Sequence, residues 1–223
     1  ATRIAMEMIS SPDLVKVKPQ VECNVTKINL PLRFTLKLDP EHSYLRERGI
    51  EKNTVEHFGI GYCSKGSLKG RIVIPLHDEN GKLVAYCGRS INSENPKYKF
   101  PRGFNKSLMV FNLHRAKTQS TSTLILVEGF FDVFKIHQAG FPNVVALMGS
   151  SISKKQKELI QTLQKKLIVL LDGDQAGRKG TKKIIKAFKG KLPMIVKYLP
   201  KGTQPDSLKE NELQKLLKER RKV

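Results

Sequence analysis

The chain has 223 residues, of which 39% are hydrophobic, and carries a formal charge of +21 from 41 lysines and arginines against 20 acids. A chain of that length buries a proper core as one large domain or two small ones, and its longest apolar run, LIVLL, is strand-sized, which excludes a bilayer-spanning helix. The cationic surplus implies a polyanionic partner, nucleic acid foremost, whose association falls steeply as salt rises. A ribosome-associated or simply soluble basic protein is the alternative that charge alone leaves open. An acidic membrane surface is disfavoured, because no amphipathic lipid-facing helix stands out.

The start, ATRIAMEMISS, lacks a charged region ahead of a long apolar core, so no secretory signal is expected. Cys23, Cys63 and Cys87 are far apart, odd in number and form no CxxC pair. That argues against disulfide staples and a cysteine zinc site, and for a reducing, cytoplasmic setting.

Residues 1–40, punctuated by Pro12, Pro19, Pro31 and Pro40, are expected to be an extended lead-in or linker segment. From residue 41, EHSYLRERGIEKNTVEHFGIGY predicts two short helices broken by Gly49. GRIVIPLHDENGKLVAYCGR then predicts two strands around Asn80-Gly81, a hairpin signal because both residues tolerate positive φ. Residues 41–120 are thus expected to form a small α+β domain.

After KTQSTS the pattern changes, and residues 121–223 read as a second domain. TLILVEG predicts a strand, FFDVFKIHQAG a helix closed by Gly140, NVVALMG a strand and SKKQKELIQTLQKK a helix. LIVLLDGD follows as a strand, QAGRKGTKKIIKAFKG as a helix and LPMIVKYLP as a strand. SLKENELQKLLKERRKV ends the chain as a helix, opened by a capping box at Ser207 and Glu210. Continuous apolar strands alternating with helices predict an α/β fold, a parallel sheet covered on both faces.

In such sheets chemistry collects past the carboxyl ends of the strands. That rule selects Glu128, ending LILVE, and Asp172 and Asp174, ending LIVLLDGD, 44 residues further on at Asp172. One β-α unit fits in between, so the three carboxylates can converge on one sheet edge, where only a positive group relieves their repulsion. Gly129 and Gly173 follow the acids and leave room for tight turns and the close approach of a phosphate or metal. Oxygen ligands without His or Cys favour Mg²⁺ or Mn²⁺ over zinc. Ordinary helix capping is the other role for such acids, and for Asp174 alone the two stand even.

These stretches, LILVEGFFDVFKIHQAGFPNVVALMGSSIS and LIVLLDGDQAGRKG, resemble the TOPRIM domain of bacterial DnaG-type primases. Upstream, YLRERGIEKNTVEHFGIGYC, GRIVIPLHDENGKLVAYCGR, NPKYKFP and NKSLMVFNLHRA resemble the small N-terminal part of the primase RNA-polymerase core, so the likeness covers roughly residues 42–210. It implies a TOPRIM-type parallel sheet preceded by a smaller α+β primase-core subdomain. Glu128, Asp172 and Asp174 become catalytic, metal-binding acids, with Asp132 and Asp206 as further acids near the metals. The family commonly has an acid at the place of Gln204. Arg89, Lys97 and Lys106 align with positions that contact template or nucleotide phosphates, and Arg178 is placed for phosphate contact beside the metal. Tyr98, Phe100 and Phe104 lie among these bases, available for base stacking or for the core.

The activity so implied is template-directed synthesis of short RNA primers on single-stranded DNA from ribonucleoside triphosphates, by metal-dependent nucleotidyl transfer. A replicative helicase or an upstream zinc-binding domain are the implied protein partners, with no membrane involved. Neither a zinc-binding nor a helicase-binding part is recognisable in the chain, and no zinc is expected in it. A TOPRIM metal-dependent nuclease is one rival; a non-catalytic single-strand-binding replication accessory of a mobile element is another.

Overall fold

The computed structural model describes residues 28–92 and 94–218. Most of the expected lead-in, together with Cys23 and the last turn of the expected terminal helix, lies outside the described residues. The two short helices are α1 (Ser43–Glu47) and α2 (Lys52–Phe58), divided by Gly49 at φ 64°. An antiparallel sheet follows, with strands β1 (Gly61–Cys63), β2 (Arg71–His77), β3 (Leu83–Ser90) and β4 (Tyr98–Lys99) in sequential order. In the β2–β3 hairpin only Gly81 uses positive φ, at 81°; Asn80 does not, because Asp78 Oδ1 already accepts from the amides of Asn80 and Lys82 and sets the turn. Cys63 and Cys87 are buried free thiols.

Helix α3 (Leu113–Ala116) leads into the second sheet, built from β5 (Thr123–Val127), β6 (Val144–Ala146), β7 (Lys166–Val169) and β8 (Met194–Val196). All its pairings are parallel and its order is β6-β5-β7-β8. Helices α4 (Phe130–Gln138), α5 (Lys154–Gln161), α6 (Gln175–Phe188) and α7 (Glu210–Lys218) cover it. Alternation along β5 shows how: Ile125 and Val127 bury against α4 and α7, while Leu124 and Leu126 bury against α5 and α6. Both faces are covered, as the continuous apolar strands predict.

Helix α4 also meets the other sheet. One apolar cluster runs from Leu45, Phe58, Ile72 and Ile74 through Phe130 and Phe134 to Ile125 and Ile168. Phe58 packs on Phe134 at 4.8 Å and Phe111 on Phe130 at 4.8 Å between ring centroids. The antiparallel sheet is thereby fixed over the N-terminus of α4. No helix among the described residues is long and apolar enough to cross a membrane.

The expected capping box at Ser207 and Glu210 is not formed. Ser207 closes a short 3₁₀ turn (Pro205–Ser207), its hydroxyl donating to the Gln204 carbonyl, and Leu208 continues extended to pack on the core. The cap moves to Lys209, whose amide donates to Glu212 Oε2 at 2.7 Å. A reciprocal box occurs instead at Ser153 and Gln156, opening α5.

Candidate active site

Strands β5 and β7 are neighbours, and the helices after them leave on opposite faces of the sheet, which opens a crevice at their carboxyl ends. Glu128 follows β5 directly. Asp172 lies three residues past the end of β7, since the strand stops at Val169. Glu128 Oε1 accepts from the Asp172 amide at 3.2 Å, so the two acids are held side by side. They open into a cleft of about 350 Å³ that is also lined by Asp132, Asp206, Arg89, Lys97 and Lys106.

The glycines make this close packing possible, though against the chain's own backbone. A Cβ on Gly177 would stand 2.1 Å from the Asp172 carbonyl and 2.8 Å from Glu128 Oε1, so α6 starts hard against both acids. A Cβ on Gly173 would lie 2.0 Å from the Pro200 carbonyl, and the Gly173 amide donates to Thr203 O at 2.8 Å. The space at Gly173, expected for a phosphate or metal, is filled by the loop after β8.

The electrostatics follow from this crowding. Burial, then the Asp172 charge, pushes the Glu128 carboxyl up to about 7. Burial, then Asp174 and Asp206, pushes Asp172 up to about 6, opposed by a hydrogen bond from Gln204 and by the Lys97 charge. Gln204 Nε2 donates to Asp172 Oδ2 at 2.9 Å, while Asp172 Oδ1 is buried without a hydrogen-bond partner. Asp132 is 5% exposed and raised well above the ordinary carboxylate range by burial; its two oxygens accept from the amides of Gly129 and Asp206.

The other sequence-selected acids are partly engaged elsewhere. Asp174 is the N-cap of α6, its Oδ1 accepting from Gly177 N at 2.7 Å, so the capping role is realised there even as its charge acts on Glu128 and Asp172. Asp206 is ion-paired with Arg48, a residue the sequence did not single out. Among the described residues no three His, Cys, Asp or Glu side chains come together as a group that could hold a metal ion, so the expected convergence of Glu128, Asp172 and Asp174 reduces to the pair Glu128 and Asp172, which line the cleft without Asp174. The fit to a divalent cation rests on the adjacent pair Glu128 and Asp172, the orphaned Asp172 Oδ1 and an all-oxygen donor set.

Of the cations, Arg89 lies in β3 and is only 8% exposed. Its guanidinium donates to the hydroxyls of Tyr44 and Tyr98 at 2.8 and 2.7 Å and lies 4.6 Å from the Phe131 ring centroid. Lys97 precedes β4 and acts on Asp172; Lys106 spans to the Met148 carbonyl at 2.9 Å. Arg178 points away from the lining of the cleft, donating to Leu199 O and stacking 5.1 Å over Tyr198. Tyr98, Phe100 and Phe104 all pack on the core, and Phe100 lies parallel to Phe104 at 5.5 Å. Tyr44, Phe131 and Arg48 escaped sequence reasoning because each acts only through a long-range contact. Their surroundings in sequence are those of ordinary helix residues.

Two family models match the chain: the N-terminal domain of the DNA primase catalytic core over residues 64–117, and the Toprim domain over residues 122–200. The DNA primase of Aquifex aeolicus is 29% identical over 96% of this chain and 51% of its own length. That of Staphylococcus epidermidis is 32% identical over 74% of this chain and 30% of its own. The chain thus spans about half or less of the curated relatives it matches. Among solved structures, the zinc-binding and RNA polymerase domains of the Aquifex aeolicus primase superpose with a TM-score of 0.69 at 29% identity, covering 78% of this chain and 54% of that one. A DnaG primase catalytic domain bound to ssDNA gives 0.70 at 21% identity, covering 80% of this chain and 70% of that one, which shows the shared fold. The Toprim primases are a metal-dependent family. With the N-terminal core model, the Toprim model and the primase relatives all falling in order along it, the chain belongs to the DnaG-type DNA primase family, over the Toprim domain and the N-terminal part of the catalytic core.

Proposed function

We propose that this chain is the catalytic core of a primase that makes short RNA primers on single-stranded DNA, using ribonucleoside triphosphates and a divalent cation. The observation that carries it is the pairing of Glu128 with Asp172 in a cleft that Arg89, Lys97 and Lys106 also line. Glu128 and Asp172 would hold the cation, with Asp174 beside them. A divalent cation held there by Glu128 and Asp172, Mg²⁺ or Mn²⁺, would supply Lewis-acid charge toward a primer 3′-hydroxyl and the departing pyrophosphate. Asp132 and Asp206, each already bonded, line the same cleft.

The remaining roles belong to the chain itself. Lys97 and Lys106 offer point charges to triphosphate or template phosphates. Arg89 is held by Tyr44, Tyr98 and Phe131, so its position is set before substrate arrives. We assign the antiparallel part, up to about residue 120, to template handling and the Toprim part to chemistry, in a cytoplasmic enzyme that works with a helicase or a zinc-binding domain.

The deciding experiment is synthesis on mixed-sequence single-stranded DNA with ribonucleotides, with and without Mg²⁺. Metal-dependent short RNA is the expected product, abolished in Asp172→Asn while single-strand binding persists. Shortened DNA would indicate a nuclease instead, and binding without any product an accessory protein.

A further inference from the structure

We infer that the outer face of α5 and α6 is a second nucleic-acid surface, holding the phosphate backbone of a duplex outside the cleft. Residues 154–191 contain twelve lysines and arginines and three acids. Two of those acids, Asp172 and Asp174, belong to the cleft and the α6 cap, which leaves Glu158 alone among the cations.

Helix α6 sorts its residues cleanly. Gly177, Thr181, Ile184 and Phe188 turn inward, while Lys179, Lys182, Lys183 and Lys186 are exposed. Among the described residues none of these four has a carboxylate within ion-pairing distance. Lys179 with Lys183 and Lys182 with Lys186 are like charges one helical turn apart, an arrangement that costs stability unless an anion intervenes. Helix α5 extends the face. Lys157 comes so close to Lys191, beyond the end of α6, that contact with the second ammonium holds the first below its ordinary range.

A simply solvated surface intersperses both signs, and this one does not. A protein-docking surface carries an apolar or aromatic centre, and a single-strand track needs rings on which bases stack. The outward positions of α6 offer neither; at its margin a single ring, Tyr198, is 47% exposed and has Arg178 stacked on it. Lysines alone suit phosphates as point charges. From Lys179 to Lys186 the helix rises about 10 Å, which matches roughly three successive phosphates of one duplex strand.

The inference takes from the proposed function only the class of partner. It is tested on the whole chain with the quadruple variant K179Q/K182Q/K183Q/K186Q, by measuring affinity for a short mixed-sequence DNA duplex across a salt series. The slope of log affinity against log salt is expected to fall by about 0.9 for each phosphate that is no longer neutralised, so by about 2 to 4 in all. Primer synthesis on a saturating short template should be unchanged. A control set of exposed lysines on the opposite side, K52Q/K209Q/K215Q/K218Q, removes equal charge. If both sets lower the slope alike, or the α6 set leaves it unchanged, the surface is overturned. Displacement of the duplex by polyglutamate, or equal binding to anionic vesicles, would overturn the nucleic-acid assignment in favour of a general anion surface. Glutamine is as good a helix former as lysine, and a thermal melt matching wild type confirms that the variant is folded. Absence of primer synthesis by the wild type itself would strike the proposed function and leave the duplex measurement standing.

Discussion

Glu128 and Asp172 in the cleft and the lysines of α6 on the outer face are both groups of like charge without a full set of counter-charges, but water reaches them differently. The acids are half-buried, and one carboxylate oxygen has no partner; burial drives their affinity for protons up to about 7 and about 6. The lysines stand in solvent, where screening keeps repulsion small. The buried pair is suited to one compact cation at a defined point. The exposed row is suited to a polymer with charges spread along it. Salt should weaken the second strongly and the first little.

Asp172→Asn sharpens this comparison most. Removing the charge that offsets a cation is worth several kcal/mol in the transition state, so primer synthesis should drop on the order of 10³-fold. Single-strand affinity, measured by fluorescence anisotropy, should stay within about threefold; equal loss of both would break the separation of chemistry from binding. Next in size is Gly177→Ala. Its methyl meets the Asp172 carbonyl at 2.1 Å, so α6 must shift, and urea denaturation should show a loss of about 3 kcal/mol.

Arg89→Ala removes a buried cation from between three rings and leaves two tyrosine hydroxyls unmatched, for a loss of about 2 kcal/mol in the same assay. Arg89→Lys should not restore it, because a single ammonium cannot donate in that fork and stack on Phe131.

A smaller effect is the pH dependence of stability in the absence of metal. Folded Glu128 and Asp172 bind protons more tightly than the unfolded chain, whose values are 4.5 and 3.8. Their contribution is therefore fully present below about 4 and is lost as pH rises through about 6 to about 7. His114 and His137 act in the opposite sense: burial lowers both to about 4, so their contribution is present above 6.5 and lost as pH falls through the folded value. The difference between wild type and Asp172→Asn isolates the acids. The variant should melt a few degrees higher at pH 8 and about equally at pH 4, and Mg²⁺ should stabilise wild type at pH 8 and not the variant. Smallest of all, Lys182→Gln alone should change stability by less than about 0.5 kcal/mol, as fits a residue that shapes a field.

Much of the second sheet was legible because its signals are local. Apolar runs such as LILV and LIVLL have few fates, and the alternation of strand and helix fixes parallel pairing, with Glu128 and Asp172 at adjacent strand ends. Capping was less legible. Ser153 and Ser207 head the same kind of pattern, yet only Ser153 forms the box. At Ser207 the pull of Leu208 toward the core delays the helix, which no local rule reports. Gln204 is a further case: it stands where the family commonly has an acid, and only the fold shows that it donates to Asp172.

By itself the sequence determined the α/β architecture, the acids at the sheet edge and the basic balance of the whole, since hydrophobic period, turn chemistry and charge act over a few residues or over all of them. Only the tertiary structure decided that Asp174 caps a helix while Asp172 keeps a bare oxygen, that Arg89 is clasped by rings from three separate elements, and that the lysines of α6 form an unbroken outer face. Those outcomes depend on which distant groups meet and which are kept from water, and a contact between residues far apart in the chain leaves no mark on either one's neighbours in sequence.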